Sequence, residues 1–537
     1  MPPHRHAYRP VVMGTRGAVA SAHPLASMAG IRMLLAGGNA ADAAVAVGST
    51  LNVVEPFMSG MGGIGLSMIS NAKTGERHIL DFIGRTPRGA DVSKCKDDEL
   101  NGGPKACATP GNLGGWLAIH ERFGSLPRAA VFAPAIELAE NGVPFTWKSV
   151  AFFEQSRAQL AYSKEAERIY LSGALRPGKV VTYKDLAATL RQAAEGGAEA
   201  FYRGPIAKAI AKGVQEAGGW LSVEDFAAFA PEWREPATIK YRAHDIYSAP
   251  PPFSTFQMLE TLNIMEGFDV RGWGHNSVEC LHHLIEAIKL ASADRLAYAY
   301  AGDVPINGLL SKAYAKSQRA RIDAKSAGAS EGERHNPVKL KDQIAEGYPA
   351  KFENEQTTHF ACADANGLVV TLTNTLGMAF GSGFVVPGTG VLLNNSHKWK
   401  DRDPSSPNVL KPGAKGVTMM SPTQIFRDGR FELSIGTPGS YGILQTTAQM
   451  ILNALDFGFN VQEAIEQPRV RVYRDRLVDA EARIPAETRT ALGARGHTVN
   501  TIDEWTWIGG QGIARDPESG ALMAGADPRR DGYALAI

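Results

Sequence analysis

Residues 356–383 decide the fold: Gln356-Thr357-Thr358-His359-Phe360, then ACADANGLVVTLTNTLGMAFGSG from Ala361 to Gly383. Apolar and polar residues alternate on both sides of Asp364-Ala365-Asn366-Gly367, the signature of two half-buried strands joined by a turn. Strand character is expected across 357–386. Upstream, residues 325–355 are rich in Lys, Glu, Ser and Gly and poor in large apolar side chains, a composition that reads as a mobile linker. A threonine at the mouth of a buried strand, straight after a mobile segment, suits an amide hydrolase that cuts its own chain and then uses the new terminus. It also suits an ordinary strand that starts with a β-branched residue, the more common case for such a window taken alone. The rest of the chain has to separate these readings.

At 537 residues the chain exceeds one ordinary core, so about two to four domains or one large layered fold are expected. Hydrophobic content of 44% and charged content of 21% describe a globular protein. A formal net charge of +1, without a Lys/Arg block, argues against nucleic-acid or membrane-surface partners. Cysteines 95, 107, 280 and 362 match neither a CxxC pair nor a zinc site. Free thiols are expected, with a Cys95–Cys107 bridge left open. No apolar segment of signal-peptide type follows Met1, and no uncharged run has membrane-spanning length, so the expected location is cytoplasmic.

Along the chain, 23–36 has helical periodicity ended by Gly37-Gly38, and Asn39 is positioned to cap a second helix to about Val53. Gly60-Met61-Gly62-Gly63-Ile64-Gly65 fits G-x-G-x-x-G. A helix precedes it and a strand follows, the reverse of a dinucleotide site, so that site is rejected. Residues 148–232 read as mostly helical, 237–249 as a strand, and 276–301 as a long helix. His283, Glu286 and Lys289 on that helix suggest ion pairs, since a metal reading lacks a further ligand. Residues 396–416 read as a polar loop, 423–427 and 431–436 as strands, and 443–457 as a helix. Strands near 470–479 and 498–502 are expected to finish the sheet. Arg85, in a loop between Gly84 and Pro87, reads either as solvated charge or as a cation for a substrate carboxylate.

Several motifs recur in a characteristic order. They are Gly37-Gly38-Asn39-Ala40-Ala41-Asp42, Gly60-Met61-Gly62-Gly63, Thr109-Pro110-Gly111, Glu286-Ala287-Ile288-Lys289, Asp294-Arg295, Thr357-Thr358-His359-Phe360, Leu393-Asn394-Asn395, Met420-Ser421-Pro422-Thr423, Pro438-Gly439 and Asp527-Pro528-Arg529-Arg530-Asp531-Gly532. Together, over about residues 17–534, they resemble the γ-glutamyltranspeptidase family of N-terminal-nucleophile (Ntn) hydrolases. The resemblance implies an α+β, four-layer αββα sandwich of two stacked, mainly antiparallel sheets. It implies autocleavage between Gln356 and Thr357 into an intertwined heterodimer of 1–356 and 357–537, with further dimerisation left open. Thr357 would be the nucleophile, Thr375 the second hydroxyl that bonds it, and the amides of Gly439 and Ser440 the oxyanion hole. The family usually has two glycines there, so Ser440 is a departure.

A threonine hydroxyl is a weak nucleophile and needs a base beside it. Cleavage before Thr357 would free an α-amine on the same residue, with an ordinary pKa of about 7.7–8.0, close to what a general base needs. No cofactor or metal is called for. The departures gather at the substrate end. Trp399 stands where γ-glutamyl-binding members carry an Asp for the α-amino group. Ser396 stands for a Gln and Gly377 for an Asn. Ile83 stands for the carboxylate-gripping Arg, with Arg85 two residues away, and Thr418-Met419 for a Ser-Ser pair. Arg85, Asn395, Trp399 and Thr418 are the candidate substrate contacts. A small amide whose acyl part lacks an α-amino group is the expected substrate (oxamate-type or an acyl side-chain amide), with water or an amine as acceptor. The alternatives are a true γ-glutamyltransferase or glutathione hydrolase, and an unprocessed binding homologue.

Overall fold

The computed structural model describes residues 7–300, 303–328, 355–473, 475–505 and 508–537. Residues 329–354, most of the expected linker, lie outside that set.

Two seven-stranded antiparallel sheets stack face to face. One runs Tyr533–Ala536, Gly17–Ser21, Glu355–Asp364, Leu368–Met378, Ile64–Asn71, Arg77–Asp81, Glu232–Arg234. The other runs Val12–Gly14, Leu522–Ala526, Gln511–Arg515, Arg430–Gly436, Thr423–Arg427, His244–Ser248, Ala237–Tyr241. Strands from before and after Thr357 interleave in both sheets, so neither segment has a sheet of its own. Small side chains let the sheets approach: Ala18, Ala20, Ala361, Ala363, Ala524 and Ala526 form one interior cluster. A hydrogen bond between the Thr371 and Ser434 hydroxyls (2.6 Å) ties one sheet to the other.

Helices close both outer faces. Pro24–Leu35, Ala40–Val54 and Arg128–Asn141 share a core with the first sheet. Phe256–Met265, Val278–Tyr298 and Gly442–Leu455 share one with the second. The helix Ala40–Val54 is buried along its whole length, so its start must be satisfied internally. The Asn39 side chain accepts from the amides of Ala41 and Asp42, and Asp42 accepts from the Asn39 amide at 2.9 Å, a complete capping box. The same carboxylate takes the Ser125 hydroxyl at 2.7 Å and amides of the next loop.

Several expectations need correction. The stretch 237–249 is a hairpin, turned at Arg242 with φ +55°, and not one strand. The strand of the founding hairpin ends at Met378, and 379–386 continues as turns, because the glycines Gly381 and Gly383 take positive φ. Val470–Val472, Leu477–Glu481 and Thr498–Ile502 form a separate three-stranded sheet. The large sheets are finished instead by Gln511–Arg515, Leu522–Ala526 and Tyr533–Ala536. All four cysteines are free and buried, so the Cys95–Cys107 bridge is absent.

On the long helix, Lys289 donates to Glu286 at 2.8 Å with both side chains fully buried. His283 is not part of that pair and bonds the Glu279 carbonyl. Removing one member strands a charge in the core. Glu286→Ala should therefore cost about 3–5 kcal/mol, and an apolar double replacement at 286 and 289 far less. Thermal melting of the two variants checks the order.

Candidate active site

Thr357 sits at a β-bulge. Gln356 pairs with Gly377 and Thr358 with Asn374, so two residues, Thr375 and Leu376, stand opposite Thr357. Bulges re-aim side chains, and they cluster beside active sites. Here the Thr357 hydroxyl reaches the Thr375 hydroxyl at 3.3 Å, with both residues buried. Thr375 Oγ1 also accepts the Gly377 amide at 2.9 Å, which fixes its position.

Thr371, Thr373 and Thr375 lie on the face turned to the second sheet, as the Thr371–Ser434 bond requires. Thr375 pairs directly with Ile64 on that face. His359, two residues past Thr357, is buried beside Thr373, whose hydroxyl it meets at 2.8 Å. Burial alone pushes its imidazole down to about 3, so it stays neutral. Gly436 of the facing sheet packs against this ring, leaving no room for a Cβ. The turn that follows Gly436 therefore leaves the second sheet at the Thr357 end of the first.

That turn holds Gly439 at φ +124° and Ser440 at φ +56°, just ahead of the helix Gly442–Leu455. Strain of this kind concentrates at functional sites. Thr437 Oγ1 bonds the Gly509 carbonyl at 3.3 Å, and Ile508 packs over Gly439, so the loop is braced from behind.

The candidate substrate contacts separate into two groups. Trp399 is buried, and it packs with Ile64, Leu66, Met68, Ile79, Ile83, Phe253 and Met420 between the sheets. Trp399 and Ile83 thus share one apolar cluster. Through Ile64 that cluster adjoins Thr375. Thr418, also buried, accepts the Met420 amide at 3.2 Å and holds that methionine in place. Arg85 lies outside the cluster: it is exposed, its guanidinium bonds Glu232 at 3.1 Å and the Gly413 carbonyl at 3.3 Å, and an acid already answers its charge.

Asn395 braces the bulge. Its Oδ1 accepts the Met378 amide at 2.9 Å, its Nδ2 donates to the Asn101 carbonyl at 2.8 Å, and its own amide donates to the Leu376 carbonyl at 2.8 Å. Gly377 has φ +104°, and a Cβ there would stand 2.1 Å from Asn395 Oδ1. That close approach explains why the site has glycine at 377.

One group escaped the sequence reading. Arg530, buried in the C-terminal motif, donates Nη1 to the Thr357 carbonyl at 2.8 Å. Only its place in the Asp527–Gly532 motif could have flagged it. The same motif is anchored by buried pairs, Arg469–Asp527 at 2.7 Å and Arg529–Glu481 at 2.7 Å. Among the described residues no group of three or more His, Cys, Asp or Glu could hold a metal, and no helix is long and apolar enough to cross a membrane.

Comparison with known proteins agrees with this architecture. The fold superposes on the cephalosporin acylase from Bacillus halodurans with a TM-score of 0.89 at 32% identity, covering 100% of this chain and 98% of that one. Acylase ACY 1 proenzyme of Pseudomonas sp. (strain V22) is 37% identical over 550 residues, covering 98% of this chain and 94% of the relative. The glutathione hydrolase proenzyme of Escherichia coli (strain K12) is 33% identical over 552 residues, covering 96% and 91%. The fold is that of the Ntn hydrolases, and the enzyme class is that of amidohydrolases acting on carbon–nitrogen bonds. Within that class the chain belongs to the gamma-glutamyltranspeptidase family, which it matches over residues 26–537.

The strained turn yields a stability test. Ser440→Gly removes a left-handed non-glycine residue and should raise the melting temperature slightly. Ser440→Val should destabilise by about 1–2 kcal/mol, because a β-branched side chain fits that region worst. Equal melting temperatures for the two variants would count against a left-handed residue 440.

Proposed function

We propose that this enzyme cuts itself before Thr357 and then hydrolyses a small amide whose acyl part lacks an α-amino group. The observation that carries the substrate class is the joint burial of Ile83 and Trp399 in one apolar cluster beside Thr375. A buried charged contact is worth a few kcal/mol to a matching substrate. An apolar wall gives that up and favours acyl groups without a charged head. The position of Arg85, engaged by Glu232, agrees with the same reading.

In the first step the Thr357 hydroxyl adds to the Gln356 carbonyl carbon. The peptide nitrogen takes a proton and leaves as the Thr357 α-amine, and water hydrolyses the resulting ester. The products are 1–356 and 357–537. In turnover the amine takes the hydroxyl proton as the oxygen attacks the substrate amide. The leaving amine or ammonia departs with a proton, and water or an amine acceptor resolves the acyl-enzyme. Thr375 holds the nucleophile's hydroxyl. The amides of Gly439 and Ser440 are assigned to the developing oxyanion.

Oxamate-type amides and acyl side-chain amides are the first substrates to test, the latter in keeping with the acylase relatives. The second reading is hydrolysis of a γ-glutamyl amide, favoured by the glutathione hydrolase relative. Release of ammonia or amine from oxamate, an acyl side-chain amide and a γ-glutamyl anilide discriminates them. Strong turnover of the anilide alone would defeat the preferred reading.

Thr357→Ala should abolish both chain cleavage and turnover. Trp399→Ala should lower kcat/KM for an apolar acyl amide by about 10–100-fold, the equivalent of losing one large apolar contact. In the wild type, kcat/KM should rise as pH climbs through about 7–8, since the α-amine must be neutral to act as base. A flat profile there, on an active enzyme, would exclude the amine from that role.

A further inference from the structure

The Asp294-Arg295 motif has no assigned part in the chemistry above, yet it places a permanent charge in the core. Arg295 is 1% exposed, on the helix Val278–Tyr298. A guanidinium does not lose its proton in a protein, so its burial is costly unless the charge is answered. Two contacts meet it. Its Nε donates to Gln257 Oε1 at 2.7 Å, on the neighbouring helix Phe256–Met265. Its guanidinium carbon lies over the Tyr441 ring, 4.2 Å from the centroid. A ring face attracts a cation, and more strongly where water is excluded.

Tyr441 directly follows the left-handed turn at Gly439 and Ser440, and its own backbone is already helical as the cap of Gly442–Leu455. The amides of Gly442 and Ile443 take the Gly439 and Ser440 carbonyls, both at 3.0 Å, which ties the turn to the helix start. The Tyr441 side chain adds a second tie, to a different part of the fold. Its face rests on Arg295, and its hydroxyl lies 3.2 Å from the Tyr300 hydroxyl. A left-handed non-glycine residue is disfavoured by itself, so the turn keeps its shape only while its flanks are held.

We infer that Arg295 is a positioning residue for the Gly439–Ser440 turn, acting through the Tyr441 ring. The stack fixes Tyr441, and with it the peptide units before it, against the helices outside the second sheet. Oxyanion donors work only when they are already aimed at the place where charge develops. A turn free to relax therefore loses rate without losing ground-state binding. A guanidinium suits this place better than an ammonium, because its plane stacks on a ring while Nε stays bonded to Gln257. The inference rests on the assignment of the Gly439 and Ser440 amides to the oxyanion.

The test is a double-mutant cycle on the full chain, with kcat and KM measured per cleaved chain for the amide turned over best. Two ligands accompany it: a boronic acid carrying the same acyl group, which mimics the tetrahedral intermediate by accepting the Thr357 oxygen, and the carboxylic acid product. Arg295→Met and Tyr441→Leu should each lower kcat by about 10–100-fold with KM within about threefold. Boronic-acid binding should weaken by a similar factor while product binding holds. The double variant should be no worse than the poorer single one. Tyr441→Phe, which keeps the ring face, should recover most of the Tyr441→Leu loss. Tyr441 is partly exposed, so its variants decide the matter even if Arg295→Met fails to fold. A loss confined to KM, equal weakening of both ligands, additive losses, no recovery in Tyr441→Phe, or wild-type kcat in Tyr441→Leu would overturn the inference alone. A wild-type enzyme that binds the boronic acid no more tightly than the product would overturn the oxyanion assignment and this inference with it.

Discussion

The contact between the Thr357 and Thr375 hydroxyls depends on one extra residue in one strand. In a regular ladder Thr357 would face a single partner. The bulge sets Thr375 and Leu376 against it, and the remaining structure keeps that bulge in place. Asn395 ties down Leu376 and Met378, Gly377 leaves space for Asn395, and Arg530 holds the Thr357 carbonyl. Leu376, Gly377, Asn395 and Arg530 are buried, so their bonds form with little competition from water and are expensive to leave unmade.

The bulge also explains the need for two stacked sheets. Thr357 on one sheet and the left-handed turn at Gly439 and Ser440 on the other can meet only if the sheets are held at close range. Alanines between the sheets and the packing of Gly436 against His359 give that range. The interleaving of strands from both sides of Thr357 has a further consequence. The bond before Thr357 lies inside the strand Glu355–Asp364, so a break there loosens only the pairing of Glu355 and Gln356 with Met378 and Gly377 and leaves the other strand pairings covalently undisturbed.

Much of this was legible in the sequence because it is local. The capping box at Asn39 and Asp42, the hairpin turn at Gly367 and the inverted glycine motif follow from residue types at fixed spacing. The polar segment before Thr357 was legible only as composition. The bulge was not legible, since alternation around Thr357 and Thr375 looks the same with or without one extra residue. The 237–249 hairpin was missed because Arg242 takes a left-handed conformation that its residue type does not announce. The final three strands were missed because segments of only four or five residues carry weak periodicity. At the site, Thr375, Trp399 and Ile83 came from family resemblance. Arg530 is 173 positions from Thr357, a pairing no local pattern reveals.

The proposed chemistry requires that Thr357 become a chain terminus and act from there. Intact mass and N-terminal sequencing of purified, amide-hydrolysing protein test it most directly. Two fragments are expected, the smaller beginning at Thr357. A single unbroken chain that turns over substrate would contradict it.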